Sequence, residues 1–383
     1  MNKRWLCSDV WMDILPSFDH AELGLKMALL SDRFDFLVDA HFDGKSELTL
    51  WRRIRIRKDK GRNANDNGSK PILSVWISDN DISLEELPIV PLQFGDNFVK
   101  FPIVLAYGNF VEFSMPNRPL HNRIRFHYLY IDYLDHSVLA FLRSNKQIWD
   151  RMGTKLTLWP HRNENDQPIW ELFVREIWPI FVSNIRRFGF RNGDHLDNLR
   201  RRISPTILTD LDQLNSIDSD RLLPSGIADD RPWPHAIAAQ ALTKWLHTPS
   251  KNGQPKRFYC NGFSDPLNLE WVNNFKETFR HATTSVSYHI QLFFLVDTMP
   301  TEQFELMNKR TKEKLTLKQK IDASNGAVHN WLLRRCPIGE TAMVPAIKWE
   351  DCEKPSANLN NITFDLWSFN KSIGPLSPPA EEK

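Results

Sequence analysis

TKLTLWPHRNENDQPIWELFVREIWPIFVSNIRRFGF, residues 154–190, decides the fold. Its first six residues alternate apolar and polar side chains, as a half-buried strand does. A polar stretch follows, and then Ile169 to Val182 places Trp170, Phe173, Ile177 and Phe181 at helical spacing. A second alternating run, IRRFGF from Ile185, closes the unit. Strand, helix, strand within some thirty residues is the pattern of a parallel crossover.

The same pattern extends in both directions. Short apolar strands are predicted from Ile124 (IRFHYLYI), Thr154, Ile185, Leu214 (LNSID), Arg257 (RFYCNGF) and Ser285 (SVSYHIQLF). Successive starts lie about thirty residues apart, except for one interval that is roughly a dozen longer, and such spacing signals stacked units. Helices are expected over Ser137 to Met152, Ile169 to Val182, Leu196 to Leu208, Ala236 to His247 and Leu269 to Ala282. The longer interval holds the acidic, Pro-rich DSDRLLPSGIADDRPWPH, read as a surface insertion. The expected class is therefore α/β, with a curved solenoid of about six strand-helix units resembling leucine-rich repeats. A compact α/β domain is the alternative.

On each side of this array the character changes. Residues 43–122 read as a β-rich linking region, from WRRIRIRK through PILSVWISD to NFVKFPIVLAYGNFVEF, with a flexible polar loop near 59–70. The repeat domain is assigned to 123–295 and a C-terminal β-rich cap to 296–369. In the cap, QFELMNKRTKEKLTLKQ reads as a hairpin and HNWLLRRCPI as a closing strand. Residues 370–383 read as a disordered tail.

The N-terminal stretch, LCSDVWMDILPSFDHAELGLKMALLSDRFDFLVDAHF, falls into three short amphipathic helices with caps at Ser8, Asp19 and Ser31. Helices this short do not bury all their apolar side chains by themselves. Some of that surface must meet the rest of the chain or another protein.

Leu6, Asp9, Val10, Ile14, Leu15, Phe18, Glu22, Leu23 and Arg33 fall at positions that resemble the F-box pattern, with Cys7 and Phe34 where that pattern carries Pro and Trp. Blocks such as ELGLKMALLSDRFD, AQALTKWLHTP, EKLTLKQ and WLLRRCPIG also resemble a large F-box-bearing family expanded in nematodes. The resemblance implies a three-helix F-box-like module over 5–42. It also implies a substrate receptor of a cullin-type ubiquitin ligase, placed in the cytoplasm or nucleus, that does no covalent chemistry itself. Its adaptor subunit would dock on Leu6, Val10, Ile14, Leu15, Phe18 and Leu23. A target protein would dock on the repeats. The other reading is a stand-alone protein-interaction module.

Alternation within the repeat strands sorts their side chains onto two faces. Leu156, Leu158, Phe188, Phe190, Phe258, Cys260, Tyr288 and Ile290 are assigned to the core. The other face then carries Thr157, Trp159, Arg187, Arg191, Asp218, Tyr259, Asn261, Ser287 and His289. Of these, Trp159, Arg187, Arg191, Asp218, Tyr259, Asn261 and His289 are the candidate target-binding residues, because aromatic and Arg side chains favour protein recognition. Arg53, Arg55 and Arg57 form a stripe on one strand, read as the protective charge of a sheet edge.

The 383 residues carry 49 Lys and Arg against 47 Asp and Glu, a balance that gives no reason to expect a nucleic-acid partner. Four cysteines, Cys7, Cys260, Cys336 and Cys352, lack zinc spacing and the density of a disulfide scaffold. Asp9 and Asp13 interrupt the leader where a signal peptide needs an apolar core. No apolar run is long enough to cross a bilayer. No Gly-rich phosphate loop, paired-histidine zinc helix or nucleophile elbow is present in the sequence, so neither a cofactor nor a metal is expected.

Overall fold

The computed structural model describes residue 15 and residues 49–58, 71–77, 93–94, 97–98, 109–115, 119–120, 124–159, 167–220, 222–225, 237–263, 269–294, 302–320, 329–338 and 359–366. The chain divides into two compact units, one formed by Met1–Met152 with Leu359–Lys383 and the other by Gly153–Asn358. Both are mixtures of helix and sheet, as the periodicities predict.

In the first unit, β1 (Thr49–Lys58), β2 (Pro71–Ile77), β5 (Asn109–Ser114), β6 (Ile124–Ile131) and β15 (Asn360–Asp365) form one sheet in the order β15-β6-β1-β2-β5. β3 (Gln93–Phe94) and β4 (Asn97–Phe98) pair separately. The β1 pairing with β6 is parallel, as is that of β6 with β15, whereas β2 and β5 add antiparallel. β1 is thus an interior strand, which corrects the edge reading of the arginine stripe. Arg55 instead donates from Nε and Nη2 to Asp132 Oδ2 at 2.8 and 2.6 Å, and Arg57 donates from Nε to Ser74 Oγ at 3.2 Å. On the opposite side of β1, Ile54 and Ile56 are buried.

α1 (His136–Ser144) begins where the Asp135 carboxylate accepts the Val138 N–H at 3.0 Å, an ordinary N-cap. It buries Val138, Leu139, Phe141 and Leu142. α2 (Lys146–Met152) follows, and its Trp149 is sealed against Phe126 with ring centroids 5.2 Å apart. Asn360 fastens the C-terminal strand to this layer. Its Oδ1 accepts the Phe126 N–H at 2.9 Å, and its Nδ2 donates to the Ile148 carbonyl at 3.0 Å.

The second unit holds β7 (Thr154–Trp159), β8 (Ile185–Phe190), β9 (Ser216–Ser219), β10 (Lys256–Phe263), β11 (Tyr288–Phe294), β12 (Phe304–Asn308), β13 (Glu313–Lys320) and β14 (His329–Pro337). β7 through β11 are parallel and each lies beside its neighbour in the chain. β14 then adds antiparallel to β11, and the β12-β13 hairpin continues from β14.

Helices fill the crossovers. α3 (Gln167–Leu172), a π turn at Phe173–Ile177 and α4 (Trp178–Phe181) occupy the first. α5 (Gly193–Arg202) and α6 (Ile207–Asp210) lie in the second, α7 (Ile237–His247) in the third and α8 (Leu269–His281) in the fourth. Their apolar faces meet one face of the sheet. Trp178 packs edge-on to Phe188 at 6.4 Å, and Phe275 and His247 pack on Tyr288. All eight residues assigned to the core by alternation are buried there.

Among the described residues no helix is long and apolar enough to cross a membrane. Cys260 and Cys336 are buried free thiols, and burial pushes the Cys260 thiol well above its ordinary pKa. Cys7 and Cys352 lie outside the described residues.

Candidate functional site

In a sheet of in-register parallel strands, residues of like parity line up across neighbouring strands on one face. On the second unit's helix-free face, one such row runs Lys155, Arg187, Ser216, Arg257, His289, Arg334 and Thr316, crossing β7, β8, β9, β10, β11, β14 and β13. A second row, two residues further along, runs Thr157, Gly189, Asp218, Tyr259, Gln291, Leu332 and Lys318.

Asp218 organises the β7-to-β10 half of the face. Its carboxylate accepts from Arg187 Nε at 2.9 and 2.8 Å and from Arg187 Nη2 at 2.7 Å, while Lys155 Nζ lies 2.8 Å from Oδ2. The Arg187 guanidinium also stacks 4.6 Å from the centroid of the Tyr259 ring. Three partly buried charges and a ring therefore hold one another in place. A bidentate Arg-carboxylate pair of this kind fixes geometry more firmly than a pair of point charges. Gly189 makes the close approach possible, because a Cβ there would stand 2.9 Å from Thr157 Oγ1.

The other half has a different character. His289 is 4% exposed, and burial, with Arg334 and Arg257 on either side, pushes its pKa down to about 3, so the imidazole is neutral. Gln291 is 2% exposed, and neither its amide oxygen nor its amide nitrogen has a hydrogen-bond partner among the described residues. Ser216 Oγ and Arg334 Nε are likewise buried and unpartnered.

The predicted target-binding residues thus divide. Arg187, Asp218 and Tyr259 come together as one cluster. Trp159 (53% exposed) and Arg191 stand exposed, one residue beyond the paired Leu158 and Phe190. His289 and Tyr259 are buried rather than presented to solvent. Asn261 lies on β10, with its side chain outside the described residues. Sequence parity passed over Lys155, Ser216, Arg257 and Gln291, although each shares the parity of a residue selected on its own strand, and it passed over Arg334, which lies on β14, where no residue was selected.

Of the predicted adaptor-binding residues, Leu6, Val10, Ile14, Phe18 and Leu23 lie outside the described residues. Leu15 is described and fully buried. A side chain with no accessible surface presents nothing to a partner, so Leu15 belongs to the interior of its unit.

Among the described residues no group of three or more His, Cys, Asp or Glu side chains is arranged to hold a metal ion. Asp218 spends its charge on Arg187 and Lys155, and His281 on α8 lies 3.5 Å from Glu277. The face is suited to recognition by hydrogen bonds and charge.

No protein-family model matches the chain, and neither a curated protein nor a solved structure matches it.

Proposed function

We propose that the chain is a substrate receptor of a cullin-type ubiquitin ligase, in which the N-terminal segment docks the adaptor subunit and the second unit holds a target protein. The observation that carries this reading is the order of β7 to β11, in which chain order equals spatial order and every crossover described contains a helix. Such an array has the grammar of a leucine-rich-repeat-like solenoid, and arrays of this type offer one extended face for a protein partner. The F-box-like pattern from Leu6 to Phe34 supplies the other half. The chain then acts by proximity, raising the effective concentration of target lysines beside the transfer machinery.

The second reading, a stand-alone interaction module, draws on the complete burial of Leu15. Binding of purified adaptor subunit to the full chain decides between them. The variant to compare carries Val10→Asp and Phe18→Asp and leaves the sealed Leu15 untouched. Binding by the native chain that disappears in a variant of unchanged circular dichroism supports the receptor. A folded native chain that does not bind adaptor leaves the stand-alone module.

A further inference from the structure

In an Asn-Gly pair the asparagine side chain meets a backbone nitrogen that no Cβ shields, because the second residue carries none. Such pairs begin at Asn67, Asn192, Asn252, Asn261 and Asn325. Those at Asn67 and Asn325 lie outside the described residues. Asn261 and Gly262 lie within β10, and Asn192 stands directly before α5 with its Nδ2 donating to Asp194 Oδ2 at 3.1 Å. Asn252 and Gly253 sit in an exposed turn between α7 and β10.

That turn is built around the Asn252 side chain. The Gly253 N–H donates to the Ser250 carbonyl at 3.2 Å, closing residues 250–253 into a β-turn. Lys251, its second residue, pairs with Asp212. Asn252 Oδ1 accepts twice, from Ser250 Oγ at 2.7 Å and from the Gln254 N–H at 3.0 Å. The second of these bonds makes an Asx-turn, in which the side-chain oxygen reaches over the peptide bond that follows. Cγ is thereby carried towards the Gly253 nitrogen. Gly253 has φ +70°, and a Cβ there would meet nothing within 4 Å, so no neighbouring group crowds the approach.

A carbonyl carbon, a nitrogen beside it and two donors on the oxygen where charge develops are the parts of an acyl-transfer centre. Hydrogen bonds to that oxygen strengthen as it becomes an oxyanion, so they lower the barrier more than they stabilise the resting amide. Holding the carbon over the nitrogen removes much of the entropy cost of closing a ring. An unfolded chain has neither advantage.

We infer that Asn252 is a built-in modification site, at which the chain converts its own asparagine to a mixture of aspartate and isoaspartate. Hydroxide takes the Gly253 amide proton and the nitrogen bonds to Asn252 Cγ. The Cγ–Nδ2 bond then breaks, and Nδ2 leaves as ammonia with a proton from water. Water opens the cyclic imide at either carbonyl. Opening at Cγ gives aspartate, whereas opening at the backbone carbonyl gives isoaspartate and routes the main chain through the side chain, one methylene longer. The added methylene falls shortly before Lys256, whose ammonium holds the Trp245 and Thr248 carbonyls at the end of α7, so the junction of helix and strand loosens as the chain ages. This inference is independent of the receptor reading.

Aging of the full chain in mildly alkaline buffer made with heavy-oxygen water tests it. Peptide mass spectrometry resolves aspartyl from isoaspartyl products at Asn192, Asn252 and Asn261, and a parallel sample is unfolded in guanidinium chloride. The expected result is conversion of Asn252 in the folded chain, faster than in the unfolded one, with both products present and one heavy oxygen in each. Ser250→Ala, shown to be folded by circular dichroism, should slow the folded-state conversion about two- to tenfold and leave the unfolded-state rate unchanged. Conversion of Asn252 no faster when folded than when unfolded overturns the site. Aspartate without isoaspartate overturns the cyclic route, since direct hydrolysis gives that product alone. A folded-state rate indifferent to Ser250→Ala overturns the assignment of the Ser250 hydroxyl.

Discussion

Arg335 on β14 donates from Nη2 to Glu313 on β13 at 2.6 Å, with side chains only 1% and 0% exposed. Every remaining charge on the pair is answered. Glu313 Oε1 accepts from Ser285 Oγ at 2.9 Å and the Val286 N–H at 2.8 Å, Arg335 also reaches the Thr284 carbonyl at 2.7 Å, and its guanidinium faces the Phe279 ring. The pair thereby ties the β13-β14 hairpin to the turn that leads into β11.

Breaking one half of such a pair strands the other without solvent. Arg335→Met is expected to lower the stability of the second unit by about 3–5 kcal/mol, measured by urea denaturation. Replacing both partners, Glu313→Leu with Arg335→Met, should recover most of that loss. A double variant no more stable than the single one would show that the pair contributes more than mutual compensation.

Two buried histidines and one half-buried histidine predict a marked acid response. Burial lowers the pKa of His195 and His289 to about 3 and of His247 to about 4, with nearby cations adding to the shift in each case. The unfolded chain, with histidine near 6.5, binds more protons than the folded one below that pH. Stability is therefore fully present above pH 6.5 and declines as the pH falls toward 4, by up to about 1.4 kcal/mol per pH unit for each histidine. His195 Nδ1 accepts the Asn192 N–H at 3.3 Å, a bond that protonation removes. His195→Asn keeps an acceptor without a titration and should flatten the stability-pH curve between pH 6 and 4.

Gly189 and Thr157 make a paired prediction across β7 and β8. Gly189→Ala puts a methyl group 2.9 Å from a stiff, β-branched neighbour and should cost about 1–3 kcal/mol. Thr157→Ala removes the obstruction. The double variant should regain much of the loss, and a double-mutant cycle with no coupling would refute the contact.

Asn360→Leu should destabilise the first unit by about 2–4 kcal/mol, since it strands both the Phe126 N–H and the Ile148 carbonyl. Hydrogen exchange locates the effect. Amides of β6 and α2 should lose protection while those of β8 to β10 keep theirs.

Strand positions were legible wherever alternation was strong. The starts expected at Ile124, Thr154 and Ile185 coincide with β6, β7 and β8, while those at Leu214, Arg257 and Ser285 differ from β9, β10 and β11 by one to three residues. The helix expected from Ile169 to Val182 is divided by a π turn. Pro179 has no N–H to give the Arg175 carbonyl, and the backbone rearranges just before it.

The site was half legible. Parity brought Arg187, Asp218 and Tyr259 to one face, because parity is a local property. The placement of Arg257 and Arg334 on either side of His289 was not legible, since it depends on β14 returning from beyond a hairpin to lie beside β11. No local pattern states that neighbour. The burial of His289 follows from the same event, and the error of reading β1 as an edge has a like cause, since its parallel pairing with β6 is set far along the chain.

The pairing of β15 with β6 has a consequence for synthesis. A ribosome releases the strands of the second unit before the strand that completes the first, so the usual order of N-terminal maturation is reversed. Until Asn360 to Asp365 emerge, β6 lacks its parallel neighbour and Phe126 its hydrogen-bond acceptor. Nascent chains stalled before residue 360 therefore carry an incomplete first sheet, and such chains are natural clients for chaperones.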